Sequence, residues 1–388
     1  MTDQPRHRHL KICHIITGLP VGGAQTMLSE LLSRMDCDRF SQSVISLIDE
    51  GVVGRRLKQD GISVKALNMR PNRPNPLLLF RLARWIAAAE ADIVQTWLYH
   101  GDVVGGVAAF ATGRRRIVWN IRHSTLDAES DKKATIWTAK IAARLSRHVP
   151  RAILCNSVKA AEVHVERGYD TRKIHIIPNG VDTTRHQPDP AAYRSVRAEL
   201  GLPASSRLIG LVGRYHPLKG HATFLTAAGQ LANLAPEVEF LLCGEGVSPD
   251  NGELVDQISA HGLAGKAHLL GLRSDIPRLT AALDIATSAS YGEALSNVII
   301  EAMACGVPCV VTDVGDSATV VGDTGWVVAP RDAQALAEAL LEALNQPPSR
   351  WRALQEVTRR RACTHYDIGR ITQEYEDFYA SLMTAPGN

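Results

Sequence analysis

Short apolar runs alternate with longer stretches of helical period along most of this chain. In the first half the runs are Lys11–Thr17, Ser43–Leu47, Ser63–Leu67, Asp92–Thr96, Arg116–Asn120, Ala152–Asn156 and Lys173–Ile177. Helical spacing is read between them in Ala24–Met35, Pro76–Ala89, Lys132–Ser146 and Ser157–Gly168. The rhythm breaks after Asn179-Gly180, over residues 181–206, which hold Pro188, Pro190 and Pro203. It then restarts, with strands expected at Arg207–Val212, Val238–Cys243, Ala267–Leu270, Ile285–Ser288, Cys309–Thr312 and Trp326–Val328. The matching helices are His221–Leu234, Leu254–His261, Asn297–Ala304, Ala333–Leu344 and a closing amphipathic stretch, Ile368–Met383. Buried strands separated by helices of about 10–15 residues predict a parallel, doubly wound α/β sheet. Here the pattern occurs twice. The expected organisation is one Rossmann-like domain over 1–180, a linker over 181–206, a second Rossmann-like domain over 207–364 and a final helix over 365–388 that crosses back. Two such sheets leave a cleft between them, and open α/β sheets bind ligands at the C-terminal ends of their strands.

Length and composition narrow the class. A chain of 388 residues with 45% hydrophobic and 21% charged residues is a soluble, two-domain balance. No run approaches the roughly 18 apolar residues of a membrane span. The polar, basic start, Met1 to His9, runs into a strand without the apolar core of a leader peptide. The seven cysteines are scattered singly, which reads as buried thiols in a reducing cytoplasm. The net charge of +3 hides an asymmetry: residues 1–180 carry 27 Lys/Arg against 16 Asp/Glu, and the remainder carry 16 against 24. A basic half of this size fits a phosphate-bearing substrate or an anionic membrane surface, and equally a generic basic surface. Nucleic acid is set aside, because only 5% of the chain is aromatic and the cations are not interleaved with those rings.

Candidate chemistry falls where strands of the second half give way to helices. Gly213 ends a buried strand, and Arg214 and Lys219 follow in the turn Gly213-Arg214-Tyr215-His216-Pro217-Leu218-Lys219-Gly220. Two cations at a helix start suit a diphosphate, or are ordinary surface charges. Cys243-Gly244-Glu245-Gly246 follows the next strand, where glycine permits close approach of a ligand or simply makes a tight turn. The loop Gly292–Asn297, with Leu295 and Ser296, feeds an apolar helix whose backbone N–H groups can cradle a phosphate. Glu293 and Glu301 stand eight residues apart in that stretch. Glu301, amid Val298, Ile299, Ile300, Ala302 and Met303, would be expensive to bury without a polar ligand such as a ribose. In the first half, Gly22 and Gly23 lie between the first strand and first helix, and His123 sits at a strand end in Arg122-His123-Ser124. His123 would touch a sugar hydroxyl or be a satisfied structural histidine. Asp36-Cys37-Asp38 follows a helix and precedes a strand, so it is read as a helix-terminating loop and not a metal site.

Together the Gly-Gly loop, the Arg-x4-Lys turn, the Glu-x7-Glu pair and the closing helix resemble the GT-B glycosyltransferases, specifically glycosyltransferase family 4. The resemblance covers nearly the whole chain and implies retaining transfer from a nucleotide sugar, a UDP-sugar ahead of a GDP-sugar, without a cofactor or metal. It implies that Arg214 and Lys219 neutralise the donor diphosphate, that Glu301 binds the ribose, and that Glu293 and His123 lie near the transferred sugar. Leu295, Ser296 and Asn297 would meet phosphate and sugar. Gly22, Gly23, Gly213 and Gly244 would allow close approach, and the loop at Gly271, Leu272 and Arg273 would read the base. Ala294 departs from the glycine the family often has there. The Arg122-His123-Ser124 version of the histidine motif is similar to a bacterial subgroup that assembles surface polysaccharides, lipopolysaccharide among them.

The implied acceptor is a saccharide or lipid-linked saccharide held on the basic first half. Met69–Pro74 followed by Leu77–Trp85 is both basic and apolar, so it is read as meeting an anionic membrane from the cytoplasmic side, or as an ordinary core helix. Three other readings are weighed. A GT-B sugar-nucleotide epimerase and a catalytically silent nucleotide-sugar-binding module share the fold. A dinucleotide-dependent oxidoreductase would need G-x-G-x-x-G after the first strand, which this chain lacks.

Overall fold

The computed structural model describes residues 9–70, 75–124 and 133–384. The first part of the chain is β1 (Leu10–Ile16), α1 (Gly23–Arg34), β2 (Phe40–Ser46), α2 (Gly51–Gln59), β3 (Ser63–Ala66), α3 (Pro76–Ala88), β4 (Ile93–Trp97), α4 (Leu98–His100), a π-helical turn (Gly101–Gly105), α5 (Gly106–Ala111), β5 (Ile117–Ile121), α6 (Lys133–Leu145), β6 (Ala152–Cys155), α7 (Val158–Glu166) and β7 (Ile174–Ile176). Then follow α8 (Pro190–Glu199), β8 (Arg207–Val212), α9 (His221–Leu234), β9 (Val238–Cys243), α10 (Gly252–Ala260), β10 (Ala267–Leu269), α11 (Ile276–Ala281), β11 (Ile285–Ser288), α12 (Asn297–Ala304), β12 (Cys309–Thr312), α13 (Ser317–Val321), β13 (Gly325–Val328), α14 (Ala333–Leu344), α15 (Pro348–Tyr366) and α16 (Ile368–Thr384).

The chain forms two compact units, residues 1–179 with 368–388, and residues 180–367. Each is built on one parallel sheet. The first has order β3-β2-β1-β4-β5-β6-β7 and the second β10-β9-β8-β11-β12-β13. Every expected strand is present within a few residues of its expected ends. Strands β4, β5, β6, β11 and β12 are buried at every position, which is why they read as mainly apolar runs; their few polar members, such as Gln95, Thr96 and Asn120, are buried with them.

The last helix belongs to the first unit. Ile368, Ile371, Tyr375, Tyr379 and Leu382 join Ile12, Ile16, Trp97 and Val118 in one core. Its polar atoms are matched as well. Tyr379 donates to Gln95 at 2.6 Å, Arg122 donates to the Tyr375 hydroxyl at 2.6 Å, and Glu376 meets Arg39 at 3.0 Å. Asp36-Cys37-Asp38 is an Asx turn, with the Asp38 N–H on Asp36 Oδ1 at 2.9 Å.

Residues 181–206, expected as a linker, are instead part of the second unit. The prolines that signalled a break include Pro190, which occupies the first turn of α8 behind an Asp189 cap that accepts from the Ala191 N–H at 2.8 Å. Proline is tolerated there because that N–H has no partner within the helix. Helix α8 is fixed by Arg197, only 1% exposed. Its guanidinium bonds Asp284 at 2.5 Å, the Ser206 carbonyl at 3.1 Å and the Ala282 carbonyl at 2.9 Å. Asp284 also accepts from the Leu208 N–H at 2.8 Å, at the start of β8. Helix α15 escaped the periodicity because it buries only Thr358, Ala362 and Tyr366 and is otherwise polar.

A buried charge left without its partner is costly. Asp284→Ala should destabilise the protein by about 3–5 kcal/mol, read as a lowered unfolding midpoint in urea, because it strands Arg197 in the interior.

Candidate functional site

In the second sheet β8 and β11 are neighbours although they are far apart in sequence, and the chain leaves them towards opposite edges. Such a switch point opens a crevice at the C-terminal ends of the strands. The Arg-x4-Lys turn leaves β8 there, and the loop to Glu293 leaves β11.

Backbone contact holds the two exits together. Gly220 has φ +66°, and a Cβ on it would lie 1.9 Å from the Ala289 carbonyl oxygen. Only glycine lets α9 begin this close to β11. Across the contact, the Tyr291 N–H donates to the Leu218 carbonyl at 2.8 Å and the Tyr291 and Thr223 hydroxyls are 2.6 Å apart. Gly315, at φ +57°, performs the same service below: a Cβ would come within 2.2 Å of the Glu293 carbonyl.

This frame brings Lys219 and Glu293 together. The ammonium pairs with Glu293 Oε1, which also accepts from Ser290 Oγ at 3.0 Å. Arg214 is exposed and has no side-chain partner among the described residues. Gly213 donates to the Cys243 carbonyl at 2.8 Å, and Gly244 packs so tightly that a Cβ would lie 2.2 Å from the Gly213 oxygen. Gly244 in turn donates to Gly271 at 2.9 Å, so the ends of β8, β9 and β10 are stitched into one rim.

Helix α12 points its N-terminus into the same region, with Ser296 at the cap position and Asn297 first in the helix. Ser296 makes no side-chain cap, and its buried hydroxyl has no partner among the described residues. Leu295 is buried in the core and anchors the loop. Glu301 is half-buried and without a hydrogen-bond partner among the described residues. Burial pushes its carboxyl up to about 7, against a pull from Arg185. Arg185 was missed by the sequence reading, because it lies in the supposed linker.

Two expected residues are arranged differently from a free binding group. The Arg273 side chain is engaged in a structural network, at 2.8 and 2.9 Å from Asp275 and 2.9 Å from Glu199. Leu272 is 79% exposed. The Gly271 backbone is itself paired, its N–H to the Val247 carbonyl at 2.7 Å.

In the first unit, Gly22 caps α1 and Gly23 opens it, with no heavy atom within 4 Å of where a Gly23 Cβ would stand. His123, just past β5, is half-buried, and its ring meets Tyr99 edge-on at 6.2 Å. Its neighbour Arg122 is occupied structurally, stacked 4.8 Å over Trp97 and bonded to Asn120, Asn179 and Tyr375.

Two parallel-sheet Rossmann-like units in one chain, with this cation and carboxylate set at a switch point, define the GT-B class of glycosyltransferases. Residues 21–185 match the model of Glycosyltransferase Family 4, and residues 206–346 that of Glycosyl transferases group 1. The chain belongs to the family 4 glycosyltransferases. It is 26% identical over 319 residues to a putative glycosyltransferase, EpsF, of Bacillus subtilis, covering 78% of this chain and 79% of the relative. It is 24% identical over 318 residues to an Escherichia coli UDP-Gal:alpha-D-GlcNAc-diphosphoundecaprenol alpha-1,3-galactosyltransferase, covering 79% of each chain. The crystal structure of Anabaena HepE with UDP and glucose superposes with a TM-score of 0.82 at 25% identity, over 96% of this chain and all of that one. These matches do not favour the epimerase, the silent module or the oxidoreductase.

The raised Glu301 carboxyl has a sign that can be checked. A carboxyl whose pKa rises on folding destabilises the folded state as pH climbs from its unfolded value towards about 7. Glu301→Gln should therefore melt higher than wild type at pH 8, by a few degrees, and close to wild type at pH 4.5. Gly220→Ala should lower the melting temperature at every pH, since the clash is with backbone.

Proposed function

We propose that this chain is a retaining glycosyltransferase of polysaccharide biosynthesis. It would move a hexosyl or N-acetylhexosaminyl group from a UDP-sugar, or else a GDP-sugar, to a hydroxyl of a saccharide or lipid-linked saccharide. The observation that carries this reading is the Lys219–Glu293 bracket at the switch point, beside unpartnered Arg214 and the open N-terminus of α12. The UDP-glucose and UDP complexes of HepE support a UDP-linked donor. The diphosphoundecaprenol in the name of the E. coli relative supports a lipid-linked acceptor.

The chemistry follows from where charge develops. Breaking a sugar C1–O bond to a diphosphate leaves negative charge on the departing oxygen. Arg214, Lys219 and the α12 N–H groups would stabilise it through charge-assisted bonds and the helix dipole. Lys219 would exchange part of its contact with Glu293 for the phosphate, freeing Glu293 for hydroxyls of the sugar. Glu301 would accept from the ribose hydroxyls, and Ser296, Leu295 and Asn297 would line the phosphate and sugar. The backbone at Gly271, Leu272 and Arg273 would face the base. His123, Gly22 and Gly23 would serve the donor sugar and phosphates from the first unit. The acceptor hydroxyl attacks the same face that the diphosphate leaves, and no carboxylate needs to act as a covalent nucleophile.

A contact with an anionic, cytoplasm-facing membrane is a second part of the proposal, and α3 favours it. Among its residues only Leu82 and Ile86 are buried, whereas Leu77 is 76% and Phe80 71% exposed. It is therefore not an ordinary core helix. Residues 71–74 of the basic apolar segment lie outside the described residues. From Val103 to Ala161 the described residues include no Asp or Glu; α6 carries Lys133, Lys140 and Arg144, and α5 is uncharged. No helix of the described residues is long and apolar enough to cross a membrane.

The donor is tested by thermal shift with UDP, GDP, ADP and CMP on wild type and Glu301→Ala. Ligand at 100 times its Kd stabilises the folded state by about 2.7 kcal/mol. One nucleotide should raise the melting temperature, and Glu301→Ala should abolish that rise; no rise with any of the four would sink the donor reading. The membrane contact is tested by flotation with anionic vesicles. Wild type should float at low salt, and the Leu77→Ser/Phe80→Ser double variant should not; equal recovery of both would remove α3 from the contact.

A further inference from the structure

The sheet of the first unit has a switch point of its own. Strands β1 and β4 pair side by side, and the chain leaves them towards opposite edges. The crevice above such a pair is where a ligand is expected. The segment that leaves β4 there, Trp97 to Asp102, departs from regular backbone twice. Leu98 has φ +68°, a left-handed conformation that side chains other than glycine rarely adopt. Gly101–Gly105 is then a π-helical turn. Both features concentrate at functional sites, because something must hold the strain in place.

The holding groups are visible. Trp97 Nε1 donates to His14 at 3.2 Å, and the Thr96 hydroxyl donates to buried Asp102 at 2.5 Å. The Tyr99 hydroxyl lies 2.6 Å from His164 Nε2, and His164 Nδ1 lies 2.6 Å from the Ala160 carbonyl. A carbonyl only accepts, so His164 carries its proton on Nδ1 and Tyr99 donates to Nε2. Burial keeps His164 neutral, with a pKa of about 4. Gly101 fits because a Cβ there would come 3.1 Å from the Ile15 carbonyl of β1.

Between the anchored Tyr99 and Asp102 stands His100. It is half-buried and has no hydrogen-bond partner among the described residues. Desolvation lowers its pKa, so at neutral pH the ring offers one donor and one acceptor nitrogen. Residues 97–102 contain no lysine or arginine. That chemistry suits a polyhydroxyl ligand and not a phosphate.

We propose that the Trp97–Asp102 turn is a saccharide-binding element and that His100 hydrogen-bonds a hydroxyl of the acceptor sugar. Tyr99 and His164 are positioning residues for this turn. The proposal rests on the glycosyltransferase reading, and its test is separable from it.

The test is retention on an array of bacterial oligosaccharides for wild type, His100→Ala, His100→Gln and Tyr99→Phe, each also run in the nucleotide thermal shift. Wild type should retain at least one saccharide. His100→Ala should lose that retention about ten-fold or more with its nucleotide shift intact. His100→Gln, which keeps a donor and an acceptor, should recover part of it, and Tyr99→Phe should fall between. Retention by His100→Ala equal to wild type, or no retention by wild type, would overturn the proposal. Loss of the nucleotide shift in wild type would count against the donor reading instead.

Discussion

The second unit depends on how closely two backbones approach. The chain leaving β8 and the chain leaving β11 touch at Gly220 and Ala289, at a distance no side chain would tolerate. That contact sets the start of α9, the seat of Tyr291 and so the meeting of Lys219 with Glu293. A larger residue at position 220 would move the cation and the carboxylate apart before any ligand arrived. Gly244 and Gly315 extend the same constraint around the rim. The site is therefore a property of packed backbone, on which a few polar side chains are mounted.

Arginine is used here in two opposed ways. Arg197, Arg122 and Arg273 are enclosed by carbonyls, carboxylates and aromatic faces, and they fix helix α8, helix α16 and the loop after β10. Their planar forks suit several fixed acceptors at once. Arg214 and Arg185 have exposed guanidinium groups. An arginine held by several fixed acceptors is harder to release to a new anion than exposed Arg214, or than Lys219 with its one carboxylate partner.

The two units repeat one principle with different chemistry. Each sheet has a switch point where the chain departs to both edges, and each places polar side chains there. In the second unit these are cations, a carboxylate and a helix N-terminus, which match an anion. In the first the group proposed for this role is His100, whose neutral ring offers a donor and an acceptor to a hydroxyl. A donor with a charged leaving group and an acceptor with an uncharged nucleophile ask for that contrast.

By itself the sequence determined the two parallel sheets and the strands that form them, because a strand buried on both faces is predominantly apolar. It also marked Arg214, Lys219, Glu293 and Glu301, since charges beside strand ends or amid apolar neighbours stand out against that background. It misassigned residues 181–206, because a proline at a helix start and a proline in a linker look alike until Asp189 is seen to cap α8. It passed over Tyr99, His100 and Arg185 for a related reason. The significance of His100 lies in strand order and a strained turn, and that of Arg185 in its distant pull on Glu301. Periodicity records which side of an element is buried; only the tertiary structure decides which elements become neighbours, and a binding site is made of neighbours.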